Sequence, residues 1–226
     1  MEDPKIILSA RSVVKRFYEP QEFEVLKNIS LNIQSGEFLA IVGKSGSGKT
    51  TLLYVLSTMD TDFEGELEVR GKNLRGMTRK QLAAFRNEHI GFVFQFHYLL
   101  PDFTAIDNVM LPAMKLNKRS KEEVREHALD ILDSIGLKNL AEKKTNMLSG
   151  GEQQRVAVAR SLINDPAIVM GDEPTGNLDN RNTQIIFDIL CELARIRGQT
   201  IVTVTHDSEF AGKCDRIVEL SDGRIV

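Results

Sequence analysis

The sequence predicts an α/β protein with a mainly parallel core sheet, an N-terminal antiparallel β subdomain and an inserted helical subdomain. Three observations carry this expectation. Four short apolar runs rich in β-branched residues have the length of strands buried on both faces: "FLAIVG" (38–43), "IGFVF" (90–94), "AIVMGD" (167–172) and "TIVTVTH" (200–206). Helical spacing fills the stretches between them, which is how a parallel sheet with crossover helices is written. The N-terminal runs "IILSARSVVKRF", "EVLKNISLNI" and "GELEVRG" instead alternate residue by residue, as antiparallel strands with one exposed face do.

Taken in order, the N-terminal runs should form the smaller sheet, and "FLAIVG" the first strand of the larger one. A glycine-rich turn and the helical run "TTLLYVLSTM" follow it. In "FVFQFHYLLPDFTAIDNV" (92–109) the apolar content divides in two. Phe92 to Phe94 read as buried strand, whereas Phe96, Tyr98, Leu99, Leu100 and Phe103 follow Gln95 into a loop. Loops normally expose polar groups, so these five are expected to line a surface for another protein rather than all to pack in the core.

Residues 96–164 have helical spacing and no strong strand, and are expected to be the inserted subdomain. Residues 1–95 and 165–226 would supply the core and the β subdomain of a single domain, 1–226. Within the insert, a Ser120/Glu123 capping box starts a helix with Val124, Ala128, Ile131, Leu132 and Ile135 on one face, ending at Gly136. The charges of "KLNKRSKEEVREH" should form a solvated face. Met110, Met114, Met147 and Met170 read as packing. "RIVELSDGRIV" should close the chain as a hairpin around Asp222-Gly223.

Composition narrows the function. The 226 residues carry a net charge of −3 and a pI near 5.9, which argues against a protein devoted to coating nucleic acid. Cys191 and Cys214 stand far apart with no CxxC, so neither a disulfide framework nor a zinc site is expected, and a reducing cytoplasmic setting is. The acidic opening "MEDPKIILSARS" lacks the features of a signal peptide. No apolar run approaches the ~20 residues that cross a bilayer, so work at a membrane would require another chain to supply the span.

The chemistry is concentrated in two segments. "GKSGSGKT" (Gly43 to Thr50) matches GxxxxGK[ST] and sits between a buried strand and a helix, where a phosphate-binding loop has to be. Gly43, Gly46 and Gly48 let the loop, with Lys44, Ser45 and Ser47, turn its N–H groups inward at a helix N-terminus whose dipole favours anions. Lys49 would reach the β- and γ-phosphates, the Thr50 hydroxyl would ligate Mg²⁺, and Thr51 continues the cradle. In "AIVMGDEPTGNLD", a buried strand ends on Asp172, which places a carboxylate near that Mg²⁺. The adjacent Glu173 points a second carboxylate toward the γ-phosphate, as a base for an attacking water.

"LSGGEQQRVAVARSL" (148–162), upstream of the Asp-Glu strand, resembles the signature of ATP-binding cassette (ABC) proteins, and the resemblance spans essentially the whole chain. It implies a P-loop NTPase cassette that hydrolyses ATP with Mg²⁺. Phe17 matches the aromatic that stacks on adenine, with Tyr18 as the alternative. Gln95 matches the glutamine that senses Mg²⁺ and the γ-phosphate, and His206 matches the switch histidine. With Glu173 these make the catalytic set; Thr50, Gln95 and Asp172 make the metal set. Leu148, Ser149, Gly150, Gly151 and Glu152 match the signature that binds ATP held by a second subunit, and Asp179 matches the aspartate of the loop crossing that interface. The resemblance therefore implies a second copy of the chain as partner, joined head to tail around ATP.

No NKxD motif supports a GTPase, no long coiled coil interrupts the chain between Gln95 and Leu148, and only one cassette is present. A transporter ATPase is therefore favoured over DNA-repair or translation relatives. "FQFHYLLPDFTAIDNV" and "GDEPTGNLD" look most like the lipoprotein-releasing branch, with macrolide or peptide exporters and the cell-division cassette as alternatives. The implied partners are separate membrane permease subunits docking near Phe96 to Phe103. The implied place is peripheral, on the cytoplasmic face of the inner membrane, with no role for nucleic acid.

Overall fold

The structure, a computed structural model, describes residues 5–226. Its chain begins with β1 (Ile6–Phe17) and β2 (Phe23–Gln34), then enters β3 (Phe38–Val42), helix α1 (Lys49–Leu56), β4 (Glu64–Val69) and the short β5 (Lys72–Asn73). Helix α2 (Arg79–His89) leads into β6 (Ile90–Val93), followed by α3 (Ala105–Leu116), α4 (Lys121–Ser134) and α5 (Gly150–Leu162). The remainder alternates: β7 (Ile168–Asp172), α6 (Asn180–Arg197), β8 (Thr200–Val204), α7 (Ser208–Gly212), β9 (Arg216–Ser221) and β10 (Arg224–Ile225).

Two sheets result. The larger has the order β10-β9-β3-β8-β7-β6, and all its pairs are parallel except β9 with β10. The smaller, β2-β1-β4-β5, is antiparallel throughout. The runs predicted as two-face-buried strands are so: every residue of β8 is buried, as are all but the last of β3 and β7. The closing hairpin forms at Asp222-Gly223 as expected, and β9 also joins the main sheet in parallel beside β3.

The Ser120/Glu123 capping box opens α4, and Val124, Ala128, Ile131 and Leu132 are buried along it. α3 and α5 begin at the same device, built on Thr104/Asp107 and Ser149/Glu152. Their apolar faces join Phe38, Val169, Ile201 and Phe210 in one continuous core, so the helices pack against a sheet face rather than only among themselves. A second core lies between the other sheet face, α1 and the antiparallel sheet.

Several expectations are modified. Phe96, Tyr98, Leu100 and Phe103 are exposed, but Leu99 is only partly so and packs against the core. Met110 and Met170 are buried, whereas Met114 and Met147 face solvent, because α3 and the turn before α5 each present a residue away from the core there. The charged run around α4 is solvent-exposed as expected, and some of its charges form surface ion pairs: Lys118 with Glu88 at 2.7 Å, Arg119 with Asp165 at 2.7 Å, and Arg125 with Glu142. Among the described residues, no helix is long and apolar enough to cross a membrane.

Candidate active site

Parallel strands deliver their C-terminal ends to one edge of the sheet, and the loops leaving β3, β6, β7 and β8 carry Gly43 to Thr50, Gln95, Glu173 and His206. The fold thus collects at one edge residues that are far apart in sequence. The loop after β3 is tightly constrained. Gly43 has φ +149°, and a Cβ there would lie 2.1 Å from the Leu220 carbonyl oxygen, so only glycine fits. Gly48 stands as the left-handed N-cap of α1. The Lys49 ammonium donates to the Gly43 and Lys44 carbonyls at 2.9 and 3.0 Å, which fixes a positive charge over the loop. Lys44, Ser45, Gly46 and Thr50 are open to solvent; Ser47 and Lys49 are buried.

Across the loop, the Thr50 hydroxyl donates to Asp172 Oδ1 at 3.0 Å. Burial pushes the Asp172 carboxyl above the usual carboxylate range. The hydroxyls of Thr50 and Tyr54 and the Lys49 ammonium oppose this, and the charge of Glu173 adds to it. Tyr54 was not anticipated from sequence. It lies one helical turn after Thr50, and burial followed by the Asp172 charge raises its own pKa. The i, i+4 spacing of the two hydroxyls was the available signal.

Glu173 adopts a left-handed backbone, φ +46°, rare for a residue with a side chain and a form of strain that concentrates at functional sites. Its amide donates to the Val204 carbonyl at 3.0 Å, and its Oε2 lies 2.6 Å from His206 Nδ1. Glu173 and His206 are therefore brought into direct contact across β7 and β8. Gln95 joins them through the following turn: a Cβ placed on Gly176 would come within 3.0 Å of Gln95 Nε2 and 3.1 Å of Glu173 Oε2. Asn177 Nδ2 donates to the Gln95 carbonyl at 3.2 Å. Gly176 and Asn177 are further participants that the sequence reading missed; both stand in the quoted "DEPTGNLD", but nothing in spacing alone pointed to Gln95.

Ser149, Gly150, Gly151 and Glu152 form the first turn of α5. Ser149 N and Oγ donate to Glu152 Oε2 at 2.7 and 2.9 Å, so both side chains are spent on the helix cap rather than on the loop after β3. Gly151 abuts the start of α6, where a Cβ would lie 2.1 Å from Asn182 Oδ1. Asp179 caps α6, accepting from Asn182 N at 2.8 Å. The signature and the Asp179 turn are thus neighbours. Phe17 is 45% exposed at the end of β1, paired with Phe23 of β2. Farther along β2, Val25 and Leu26 approach Gly48. Lys15 Nζ lies 4.9 Å from the Phe17 ring centre, and the neighbouring Tyr18 is still more exposed.

The profile of the ABC transporter family matches residues 26–176. The chain belongs to the ABC transporter family. It is an ATPase cassette of that family. The lipoprotein-releasing system ATP-binding protein LolD of Bacteroides fragilis is 50% identical over 203 residues, covering 90% of this chain and 94% of that one. LolD of Cytophaga hutchinsonii is 47% identical over 220 residues, covering 97% and 99%. Among solved structures, the dimeric bacterial ABC transporter cassette MJ0796 has a TM-score of 0.88 at 40% identity and covers 96% of each chain. A dimeric post-hydrolysis state of MJ0796 bound to ADP and Pi gives the same TM-score at 39% identity.

Proposed function

We propose that this ABC cassette dimerises around two ATP molecules and, by hydrolysing them, drives separate membrane subunits that release lipoproteins from the inner membrane. The observation that carries the hydrolytic part is the Glu173–His206 contact of 2.6 Å at the edge that also bears the phosphate loop. LolD likeness over nearly the full length of both relatives supports the transport reading.

The proposed division of labour follows the geometry. Gly43 to Thr51 hold the triphosphate, with Lys49 countering its charge. Phe17 stacks on the base. Thr50 and Asp172 bring a hydroxyl and a half-buried carboxylate 3.0 Å apart, and with Gln95 they would hold Mg²⁺ through hard oxygen donors. When bound, Mg²⁺ supplies charge neutralisation at the β- and γ-phosphates. Glu173 takes a proton from the attacking water, and His206 orients that carboxylate and meets the γ-phosphate. Leu148 to Glu152 of the opposite subunit close the site, with Asp179 crossing the interface. Residues 96–164 act as the helical lobe that carries the signature.

Glu173→Gln tests the base. Hydrolysis should fall by roughly 10² to 10⁴, the usual worth of a positioned base, while ATP binding persists and dimer accumulates on size-exclusion chromatography. Near-normal turnover by this variant would overturn the assignment.

Phe96 and Tyr98, 60% and 66% exposed, together with Leu100, Phe103, Leu111 and Met114, are proposed as the docking surface for the permease on the cytoplasmic face. Phe96→Ala with Tyr98→Ala should leave the isolated cassette folded and hydrolysing ATP but unable to copurify with the membrane subunits. Leu99 is the wrong choice for this test because it packs inward. Normal copurification and full lipoprotein release by the double variant would show that the patch serves another purpose.

A further inference from the structure

Gln154 lies one turn into α5 and is 1% exposed, an unusual place for a carboxamide. Its Nε2 donates to two backbone carbonyls, Phe94 at 3.2 Å and Pro174 at 2.5 Å. Phe94 is the residue before Gln95, and Pro174 is the residue after Glu173. One –NH₂ group, with two N–H donors, is thus shared between the peptide that precedes Gln95 and the peptide one residue beyond Glu173. Because both neighbours are acceptors, the nitrogen has to be the atom that faces them. The other end of the amide, Oε1, is buried with no hydrogen-bond partner among the described residues. A buried carbonyl oxygen without a protein partner has a cost, which an apolar side chain of similar size would avoid.

The same helix holds the far side of Gln95. Arg160 donates from Nη2 to the His97 carbonyl and from Nη1 to the Tyr98 carbonyl, each at 2.7 Å. Tyr98 is held there with a left-handed backbone, φ +46°. α5 therefore grips the chain on both sides of Gln95 and the chain just after Glu173, while its own N-cap is the signature serine, Ser149.

We infer that Gln154 is a positioning residue for hydrolysis, holding the backbones of Gln95 and Glu173 in mutual register and tying that register to the signature end of α5. The inference rests on the reading of Gln95 and Glu173 given above. In a head-to-tail dimer, one helix then touches one ATP through Ser149 and sets the catalytic geometry at the other through Gln154, so the two sites communicate along a rigid element.

The test uses the full chain with Gln154→Leu, which removes both donors at similar volume, and Gln154→Glu, which keeps the shape but turns acceptors toward the two carbonyls. Steady-state hydrolysis, binding of a fluorescent ATP analogue and the thermal midpoint are measured for each. Misplacing reacting groups by about an ångström can cost on the order of 10²-fold, so kcat should fall about tenfold to a hundredfold with KM changed less than about threefold. Adding Gln154→Leu to Gln95→Ala should cost much less than the two effects combined, because both disturb one arrangement. Unchanged kcat in both variants, losses that follow a lowered thermal midpoint, or full additivity with Gln95→Ala would each overturn the positioning role. Failure of the underlying reading is seen separately, in a wild-type chain that does not hydrolyse ATP or a Glu173→Gln chain that hydrolyses it normally.

Discussion

At the level of single residues, the active edge depends on backbone conformations that few side chains tolerate. Gly43 is the sharpest case, because its φ of +149° and the Leu220 carbonyl 2.1 Å from any Cβ act together. Gly43→Ala is expected to be destabilised by about 1–3 kcal/mol from backbone strain, with the steric clash adding to it, and to lose ATP binding. Denaturant unfolding and nucleotide titration check this. The glycine was legible in the sequence because the GxxxxGK[ST] spacing requires it. Glu173 shows the limit of such reading. Its identity was recoverable from the strand that ends at Asp172, but its left-handed φ was not, because sequence patterns mark positive φ mainly where glycine or asparagine stands. Gln154, Gly176 and Asn177 escaped for a related reason: each acts by contact with a residue distant in the chain, and periodicity reports only local neighbours.

At the level of elements, α4 and α5 offer a controlled comparison, since both start with a serine–glutamate capping box. Helix α4 has no part in the proposed chemistry, whereas the α5 cap is the signature. Ser120→Ala and Ser149→Ala should each cost about 0.5–2 kcal/mol of stability by leaving an N-terminal amide uncapped. Only Ser149→Ala should also reduce ATP-dependent dimerisation and hydrolysis. Equal losses of activity in the two variants would reduce the signature to a helix cap. The boxes also have a pH dependence of defined sign. Hydrogen bonds from Ser149 and Ser120 hold the Glu152 and Glu123 carboxyls below their ordinary 4.5. Their contribution is complete above that value and is lost as pH falls through the lower folded pKa. Acid unfolding of Ser149→Ala or Ser120→Ala should accordingly depend less on pH below about 4.5 than that of the unaltered chain. The capping box of α4 was evident in the sequence because Ser120 and Glu123 precede a clear apolar stripe. The sharing of one core by these helices and the sheet was not, because burial on two sides looks the same in sequence whichever partner supplies it.

At the level of the whole molecule, the central feature is that Ser149 and Glu152 of the signature are bonded within their own helix cap and, among the described residues, make no bond to the phosphate loop of the same chain. The proposed composite site would draw them from two chains. The parallel sheet and the antiparallel sheet were legible from periods of burial, whereas the proposed division of the site between two chains rests on resemblance, since no single-chain pattern encodes a second copy. Mixing Lys49→Ala chains with Ser149→Arg chains separates the possibilities. In a mixed dimer, one site combines both defects, while the opposite site joins an intact phosphate loop to an intact signature. Each parent alone has a defect in both of its sites. The mixture, assayed at a concentration where the unaltered chain dimerises, should therefore hydrolyse ATP faster than the average of its parents, and faster as exchange between them proceeds. A rate that stays at that average after complete exchange, demonstrated by differentially labelled chains, would mean that each chain completes its own site. The head-to-tail arrangement would then have to be abandoned, even though the fold itself is that of the ABC cassette.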